Sequence, residues 1–127
     1  MILQTVLPIV FEELGPMRVE VEVSQTQLSS DAGLLPLREL DRRLGWTEGF
    51  AAQLGDHRQW SQHALVEMVR QRVFGILAGY EDQNDHDALR SDPVFKVVAG
   101  RSPDDNNLAS QPTLSRFEYA VTAGDLL

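Results

Sequence analysis

The sequence predicts a mainly α-helical protein in which an N-terminal β-hairpin precedes a bundle of about five or six helices. Residues 19–23 alternate valines with glutamates, a pattern that is typical of a strand with one buried face. From Ser30 onward apolar residues recur at helical spacing, and capping residues and glycines separate the segments. The chain has 127 residues, enough to bury a core without metal or disulfide cross-links. We therefore expect residues 1–29 to form a hairpin or extended segment and residues 30–127 a helical region.

The predicted hairpin consists of two short strands joined by a turn. Residues 5–11 form a dense apolar run, and Gly15-Pro16 marks a turn between this run and the alternating segment. Two strands alone are only marginally stable in water and need a surface to pack on. Two alternatives follow: the hairpin joins the sheet of a larger domain, or it lies on the helices of this domain.

The first helix is expected to begin after Ser30 or Asp31, either of which can cap it, and to end at Gly45. Its predicted core face carries four leucines at helical spacing: Leu34, Leu37, Leu40 and Leu44. Three charged residues fall on its predicted outer side: Asp41, Arg42 and Arg43.

A short second helix and a long third helix follow. Thr47 is the predicted N-cap of the second helix. The third helix is predicted over residues 62–80 with Ser61 as its cap, and its broad apolar stripe indicates a central helix contacted on more than one side. Gly75 and Gly79 weaken its last turns and mark places where another backbone can approach closely.

Two short helices are predicted after the long one. Asn84 or Asp85 can cap the first of them. Asp92-Pro93 supplies a cap and a proline at the first helical position of the second, and Gly100 closes it.

A loop and a final helix complete the prediction. Residues 101–107 are rich in Ser, Pro, Asp and Asn and are expected to form a flexible loop. The final helix begins near Gln111-Pro112 and places three apolar residues at core spacing: Leu114, Phe117 and Val121.

The charge of the chain argues against strong DNA binding by this chain alone. The formal net charge is −8 and the sequence pI is about 4.7, whereas autonomous DNA-binding domains usually present a basic surface. Because phosphate contacts depend on Lys and Arg, we expect DNA binding by the isolated chain to be weak.

The composition also bears on the cellular compartment. The absence of cysteine fits a reducing cytosol. No apolar run approaches the roughly 20 residues that a membrane helix needs, and the N-terminal residues lack the features of a signal peptide. We expect a cytoplasmic protein with no membrane contact.

The acidic segment at residues 81–87 is the most obvious place to look for a metal ion, because hard cations bind several oxygen ligands from one loop. The segment lacks the glycine and the closing glutamate of a calcium-binding loop. Asp85 and Asp87 are instead well placed to favour the start of the next helix. We therefore expect no metal site here.

No set of residues indicates an independent active site. The three histidines, His57, His63 and His86, lack metalloprotease spacing. Neither a serine-nucleophile motif nor a glycine-rich phosphate loop is present. We expect no catalytic residue and no cofactor in this chain.

The start of the final helix is the best candidate for a nucleic-acid contact. It presents side chains that can touch phosphates or base edges: Gln111, Thr113, Ser115 and Arg116. Pro112 with Thr113 is equally good helix-capping chemistry. A second small basic group comprises Arg38, Arg42 and Arg43 on the first helix, although such residues usually lie on a solvated face or pair with nearby acids.

Three strings of the sequence resemble one protein family. They are LSSDAGLLPLRELDRRLGW at residues 28–46, GYEDQNDHDALRSDP at residues 79–93 and LASQPTLSRFE at residues 108–118. Together they look like the N-terminal region of bacterial insertion-sequence transposases of the DDE type, whose catalytic domain is RNase H-like. The likeness covers roughly residues 19–127, with Tyr119 at a position where the family commonly has asparagine.

The resemblance implies a full-length protein that cuts and joins DNA at insertion-sequence ends, using a triad of carboxylates and two divalent ions, commonly Mg²⁺. In such relatives the first catalytic aspartate is expected on a strand well after the LASQPTLSRFE string, so Asp125 is not assigned that role. We therefore expect an N-terminal, truncated part of a DDE transposase that lacks the RNase H-like domain and is not catalytic by itself.

The predicted function is to help position transposon-end DNA or a partner protomer beside the catalytic domain during DNA transposition. The alternative is an acidic helical protein–protein interaction module that self-associates or inhibits intact transposase. An unrelated enzyme is disfavoured because the chain lacks a convergent set of catalytic residues.

Overall fold

The computed structural model describes residues 9–14, 18–22, 28–54 and 65–120. These residues form an N-terminal two-stranded antiparallel sheet followed by helices, so the predicted mainly α fold is confirmed. The strands are β1 (Ile9–Phe11) and β2 (Val19–Val21). The helices are α1 (Leu34–Leu44), α2 (Trp46–Leu54), α3 (Leu65–Leu77), α4 (His86–Leu89), α5 (Pro93–Ala99) and α6 (Gln111–Ala120), with a 3₁₀ turn (Gln83–Asp85) before α4.

The hairpin packs on the helices of its own domain. Phe11 pairs with Val19 across the sheet, and these residues lie with Val21 against the larger of two apolar clusters. Leu14 at the end of β1 is completely buried in that cluster. Residues 5–8, the Gly15-Pro16 turn and residue 23, all part of the predicted hairpin, lie outside the described residues.

The short helix α5 lies at the centre of the larger cluster. Every residue from Val94 to Ala99 is buried, including the charged Lys96. The predicted ends are confirmed: the Asp92 carboxylate accepts hydrogen bonds from the backbone N–H groups of Val94 and Phe95, and Gly100 has a φ of 106°. A helix that is apolar on nearly all sides is stable only when other elements surround it.

Helix α3 lies between the two apolar clusters. Its Phe74 belongs to the larger cluster, whereas Met68 and Val69 belong to the smaller one with Leu114 and Phe117 of α6. It packs on both α5 and α2, which confirms the prediction of a central helix. The predicted cap, Ser61, lies outside the described residues.

The orientation of α1 differs from the prediction. Leu34 and Leu35 are buried, but Leu37, Leu40 and Leu44 are 43%, 43% and 53% exposed. Asp41, which was expected on the outer side, is 4% exposed. The predicted leucine face is therefore wrong, because the inner face of α1 is instead built around two charged residues, Arg38 and Asp41.

A buried polar network joins α1, α2, α3 and α5. The Asp41 carboxylate accepts hydrogen bonds from the Thr47 backbone N–H at 2.8 Å and from the Thr47 hydroxyl at 2.6 Å. Arg70 of α3 donates to the same hydroxyl at 3.0 Å and to the Ala99 carbonyl at 3.4 Å. Arg38 donates to the Val98 carbonyl at 3.1 Å and pairs with Asp41 at 3.3 Å. Asp41 thus caps α2, and the prediction of Thr47 as the N-cap is wrong.

The start of α1 also differs from the prediction. The residue at the N-cap is Gly33, which has no side chain that could cap the first turn. The predicted end at Gly45 is confirmed, since this glycine has a φ of 68° and donates its N–H to the Asp41 carbonyl.

Gly75 of α3 makes room for a buried histidine. A Cβ atom at this position would lie 2.8 Å from Cε1 of His86, a residue whose side chain is fully buried. The predicted approach of another backbone is therefore wrong: at Gly75 the closest group is a side chain, and at Gly79 a Cβ would meet no described atom within 4 Å. The Gly75–His86 contact therefore fixes α4 against α3.

The segment at residues 101–109 is held by side chains that donate to its carbonyls, in contrast to the flexible loop that was expected. Buried Lys96 donates to the carbonyls of Pro103 and Asp105, the second at 2.9 Å. The other donors are Arg101 to Asn106 and Asn107, Arg90 to Leu108, and Gln71 to Ala109. Leu108 and Ala109 are buried, so the bonds from Arg90 and Gln71 satisfy carbonyls that water cannot reach.

Replacement of Asp41 by alanine is expected to lower the free energy of unfolding by about 3 kcal/mol or more, since it leaves the buried Arg38 without its carboxylate partner and removes the cap of α2. The matched control is Glu48→Ala, because Glu48 also contacts Arg70 but its side chain is 75% exposed. This control should change stability by less than about 1 kcal/mol. Urea unfolding measures both, and equal losses would contradict the role given to the buried network.

Replacement of Gly75 by alanine is expected to destabilise the protein by about 1–3 kcal/mol, because the added methyl group overlaps the ring of His86. Gly49→Ala is the matched control: Gly49 is also helical, and a Cβ there would meet no atom within 4 Å. The control should gain up to about 1 kcal/mol from its better helix propensity. A stabilised Gly75→Ala variant in thermal or urea unfolding would refute the close contact.

Candidate nucleic-acid interface

The start of α6 is fixed to the turn that precedes α4. The backbone N–H of Gln111 donates to the Asp87 carboxylate at 3.0 Å. The Gln111 side-chain amide donates to the Ser115 hydroxyl at 2.8 Å, and Ser115 donates to the Gln83 side-chain carbonyl at 2.5 Å. Two of the predicted DNA-binding side chains, Gln111 and Ser115, are thus half-buried and oriented by neighbours within the protein.

The other two predicted residues of α6 lie closer to its outer surface. Thr113 is half-buried, and its hydroxyl shares a hydrogen bond of 3.2 Å with Ser110. Arg116 is exposed and donates weakly to the Thr113 hydroxyl at 3.4 Å. Arg116 is the residue of this set whose cationic group faces the solvent.

Tyr119 shares this outer surface and was not among the predicted contact residues. Its side chain is 91% exposed, and it follows Arg116 by three residues on the same helix. Residues three apart lie on one face of a helix. The sequence signal for Tyr119 was available, because a large aromatic side chain at a helix position outside the core stripe is unusual.

Two residues of the second basic group, Arg42 and Arg43, lie at the C-terminal end of α1. Both arginines bind Glu39: Arg42 through two hydrogen bonds of 3.1 and 2.9 Å, and Arg43 through one of 2.9 Å. These hydrogen bonds, first of all those from Arg42, lower the pKa of Glu39 to about 2. The carboxylate therefore stays ionised, and a phosphate would have to displace it to reach these arginines.

In the described part of the structure, the arginines of α1 and the candidate residues of α6 do not form one site. Helix α1 packs on α5 and α2, and α6 packs on the 3₁₀ turn and, through Leu114 and Phe117, on α2 and α3. Within the described ranges, no hydrogen bond or ion pair links Arg42 or Arg43 to a residue of α6.

The acidic residues at 81–87 serve local structure. The Asp82 carboxylate accepts the N–H of Asn84 at 2.9 Å and so caps the 3₁₀ turn, and Asp87 accepts the N–H of Gln111. Among the residues that the structure describes, no three His, Cys, Asp or Glu side chains form a group that could hold a metal ion. The described donor set does not fit the two Mg²⁺ ions that the resemblance implies for the full-length family.

His86, the first residue of α4, is completely buried against α3 and α5. Burial, and secondarily the nearby Arg72 guanidinium, lower its pKa to about 4. Its ring lies 3.4 Å from the side-chain nitrogens of both Gln71 and Arg72 and contacts Phe95 edge-on. Arg72 also donates to Glu118 of α6 at 2.6 Å. A neutral His86 therefore supports the α3 surface on which α6 rests.

The fold and the site define a class: an acidic helical protein whose final described helix presents an arginine and a tyrosine to solvent beside a fixed polar helix start. Within the described residues, no helix has the length and apolarity that crossing a membrane requires. A family model for the transposase DDE domain, group 1, matches residues 11–127. The chain belongs to this transposase family, which confirms the resemblance of the three strings. No curated protein and no solved structure matches the chain.

The buried neutral His86 makes stability depend on pH. In the unfolded chain a histidine has a pKa of about 6.5, whereas in the folded protein the value is about 4. Between these values the unfolded state binds the proton and the folded state does not, so stability is fully present above pH 6.5 and falls as the pH drops toward 4. The total loss is about 3 kcal/mol.

Urea unfolding at several pH values between 4 and 7 measures this loss. Carboxylates also titrate near the lower limit, so the comparison is with His86→Gln, which removes the imidazole and keeps a polar side chain. The variant should show a flatter dependence of unfolding free energy on pH. If the unfolding free energies of the unchanged protein and of His86→Gln depend on pH in the same way, His86 does not cause the loss of stability in acid.

Proposed function

We propose that this chain helps position transposon-end DNA beside the catalytic domain of an insertion-sequence transposase. The observation that carries the proposal is the outer face of α6, where Arg116 and Tyr119 are both exposed and three residues apart. A guanidinium binds phosphate, and an adjacent aromatic ring can pack on a sugar or base. Membership of the transposase family supports DNA as the partner.

The fixed polar residues of α6 support the same proposal. Gln111, Thr113 and Ser115 are oriented by hydrogen bonds to one another or to neighbouring residues before any ligand binds. Side chains that are already ordered lose less conformational entropy when they contact a ligand. A DNA backbone that lies along α6 would thus meet the second amide N–H of Gln111 and the Thr113 hydroxyl, whereas the Ser115 hydroxyl proton is already donated to Gln83.

Arg42 and Arg43 provide a second contact in this proposal. The side chains of Arg42 and Arg43 are 35% and 69% exposed, and ion pairs at a protein surface contribute only about 0–1 kcal/mol. Replacement of the Glu39 carboxylate by a DNA phosphate therefore costs little free energy. The two arginines could serve equally to hold a partner protomer of the transposase.

The role is that of an accessory part of the transposase, in the cytoplasm where bacterial DNA resides. We assign it to the helical region, residues 30–127, and give the hairpin segment, residues 1–29, no DNA contact. The catalytic carboxylates and their Mg²⁺ ions belong in this proposal to an RNase H-like domain outside these residues. With a net charge of −8, the chain alone should hold DNA weakly.

A second candidate function is a protein–protein interaction module. Five large apolar side chains on α1 and α2 are 43–60% exposed: Leu37, Leu40, Leu44, Trp46 and Phe50. Exposed apolar surface of this kind often marks a protein-binding site. Self-association, or mixed assembly with intact transposase that inhibits transposition, would use this surface and would need no DNA.

Fluorescence anisotropy of a labelled duplex tests the DNA role, using the terminal inverted repeat read from the DNA that flanks the gene. The logarithm of the binding constant should fall linearly with the logarithm of the salt concentration. Arg116→Ala should weaken binding and reduce this slope by about 0.9, the value of one lost phosphate contact. Arg42→Ala with Arg43→Ala should reduce it by about twice that amount.

The matched control is Arg18→Ala, because Arg18 is also exposed and paired with glutamates but lies on the hairpin. It should leave the salt slope unchanged. If all of these variants, including the control, bind alike, the DNA role assigned to α6 and α1 is wrong. Absent DNA binding together with a concentration-dependent dimer in light scattering would favour the interaction module.

A further inference from the structure

An apolar cleft lies beside β2, on a part of the molecule built from residues other than those of the α6 surface. Its volume is about 230 Å³. Its apolar lining comes from β2, from the start of α1 and from α5: Val19, Val21, Ala32, Leu35, Val94 and Val97. Glu20 and Glu22 of the hairpin also border it, and both are exposed. The cleft thus has an apolar base and an acidic rim.

The volume of the cleft is better suited to binding side chains of another polypeptide segment than to binding a small molecule. Sites for small-molecule ligands usually measure about 300–1,000 Å³, which is larger than this cleft. A cavity of about 150 Å³ accommodates one benzene molecule. The cleft therefore has room for about two aliphatic side chains, the number that alternate positions of a short strand present on one face.

The strand β2 supplies backbone groups at the same place. It pairs with β1 on one side, and among the described residues nothing hydrogen-bonds to its backbone on the other side. The open edge of a strand is a template for an additional strand. A two-stranded sheet is also only marginally stable, so a third strand would reinforce it.

Charge decides which strand can bind. The described part of the hairpin carries four glutamates, Glu12, Glu13, Glu20 and Glu22, and one cation, Arg18, which pairs with Glu12 and Glu20. If β2 of a second copy paired with β2, glutamates would face glutamates, and like charges directly opposite are destabilising. Lysine or arginine on the outer face of the incoming strand would instead face these carboxylates.

We propose that β2 and this cleft bind an extended polypeptide segment in which apolar residues alternate with basic ones. The segment adds a strand to the open edge of β2, its apolar side chains enter the cleft, and its basic side chains face Glu20 and Glu22. Main-chain hydrogen bonds provide affinity in this binding mode, and the alternate side chains provide specificity. The site is independent of the DNA role proposed above.

The test uses the whole chain and a short fluorescein-labelled peptide in which valine and lysine alternate, with anisotropy as the readout. One control peptide has the same composition, with the valines and the lysines in separate blocks. A second control carries N-methyl groups on the amides of one strand edge, which removes main-chain donors. Both controls should bind at least about tenfold more weakly. For the N-methylated peptide this loss corresponds to one or two hydrogen bonds. The block peptide keeps its main-chain donors but does not alternate valines toward the cleft with lysines toward the glutamates.

Two protein variants test the site itself. Ala32→Trp fills the cleft and should weaken binding of the alternating peptide by about 100-fold or more, the loss expected when about two apolar side chains are excluded. Ala52→Trp is its matched control, since Ala52 is exposed on α2 and does not line the cleft. Glu20→Lys with Glu22→Lys changes only exposed residues and should reverse the preference toward a peptide of alternating valine and glutamate.

The outcomes separate the proposal from general attraction to an acidic protein. Equal binding of all valine–lysine peptides, or no effect of N-methylation, would overturn strand addition. Unchanged affinity in Ala32→Trp with folding verified by circular dichroism would overturn the cleft as the site. If Ala32→Trp fails to fold, the charge-reversed protein decides, because an unchanged preference for the lysine peptide would refute the proposal.

Discussion

The arrangement of the helices depends on the carboxyl end of α5. This short helix is buried on nearly all sides, so its last carbonyls cannot reach water. A buried carbonyl without a partner costs about 1–3 kcal/mol. Arg38 supplies the donor for Val98 and Arg70 the donor for Ala99, and both arginines are in turn linked to Asp41, one directly and one through Thr47. Four helices are thus positioned by one set of polar bonds.

This network also explains which parts of the fold could be predicted from sequence. The ends of α5 were predictable because Asp92, Pro93 and Gly100 act on neighbouring backbone groups. The inner face of α1 was not, because its leucines have core spacing and the Arg38–Asp41 spacing equally fits an exposed ion pair. Only the distant carbonyls of α5 and the start of α2 determine that the charged side faces inward.

In the candidate interface, too, features set by neighbouring residues could be predicted from the sequence, whereas contacts with residues distant in the sequence could not. The polar start of α6 could be recognised from its own residues and from the family strings around it. Its docking partners, Gln83 and Asp87, could not, since their bonds to Ser115 and Gln111 span 32 and 24 residues. Periodicity reports only which side of a helix is apolar. It does not report which polar residues of another segment will meet its end.

The use of cations inside the fold limits how this chain can contact DNA. Many of its basic residues satisfy carbonyls or carboxylates within the protein: Arg38, Arg70, Arg72, Arg90, Lys96 and Arg101. Withdrawing them to bind phosphate would expose buried acceptors, at a cost greater than a surface phosphate contact returns. On the described helices this leaves the exposed arginines of α1 and α6, too few for tight binding by counterion release. The proposed DNA role is compatible with this distribution of charge if other parts of a transposase hold the DNA more strongly.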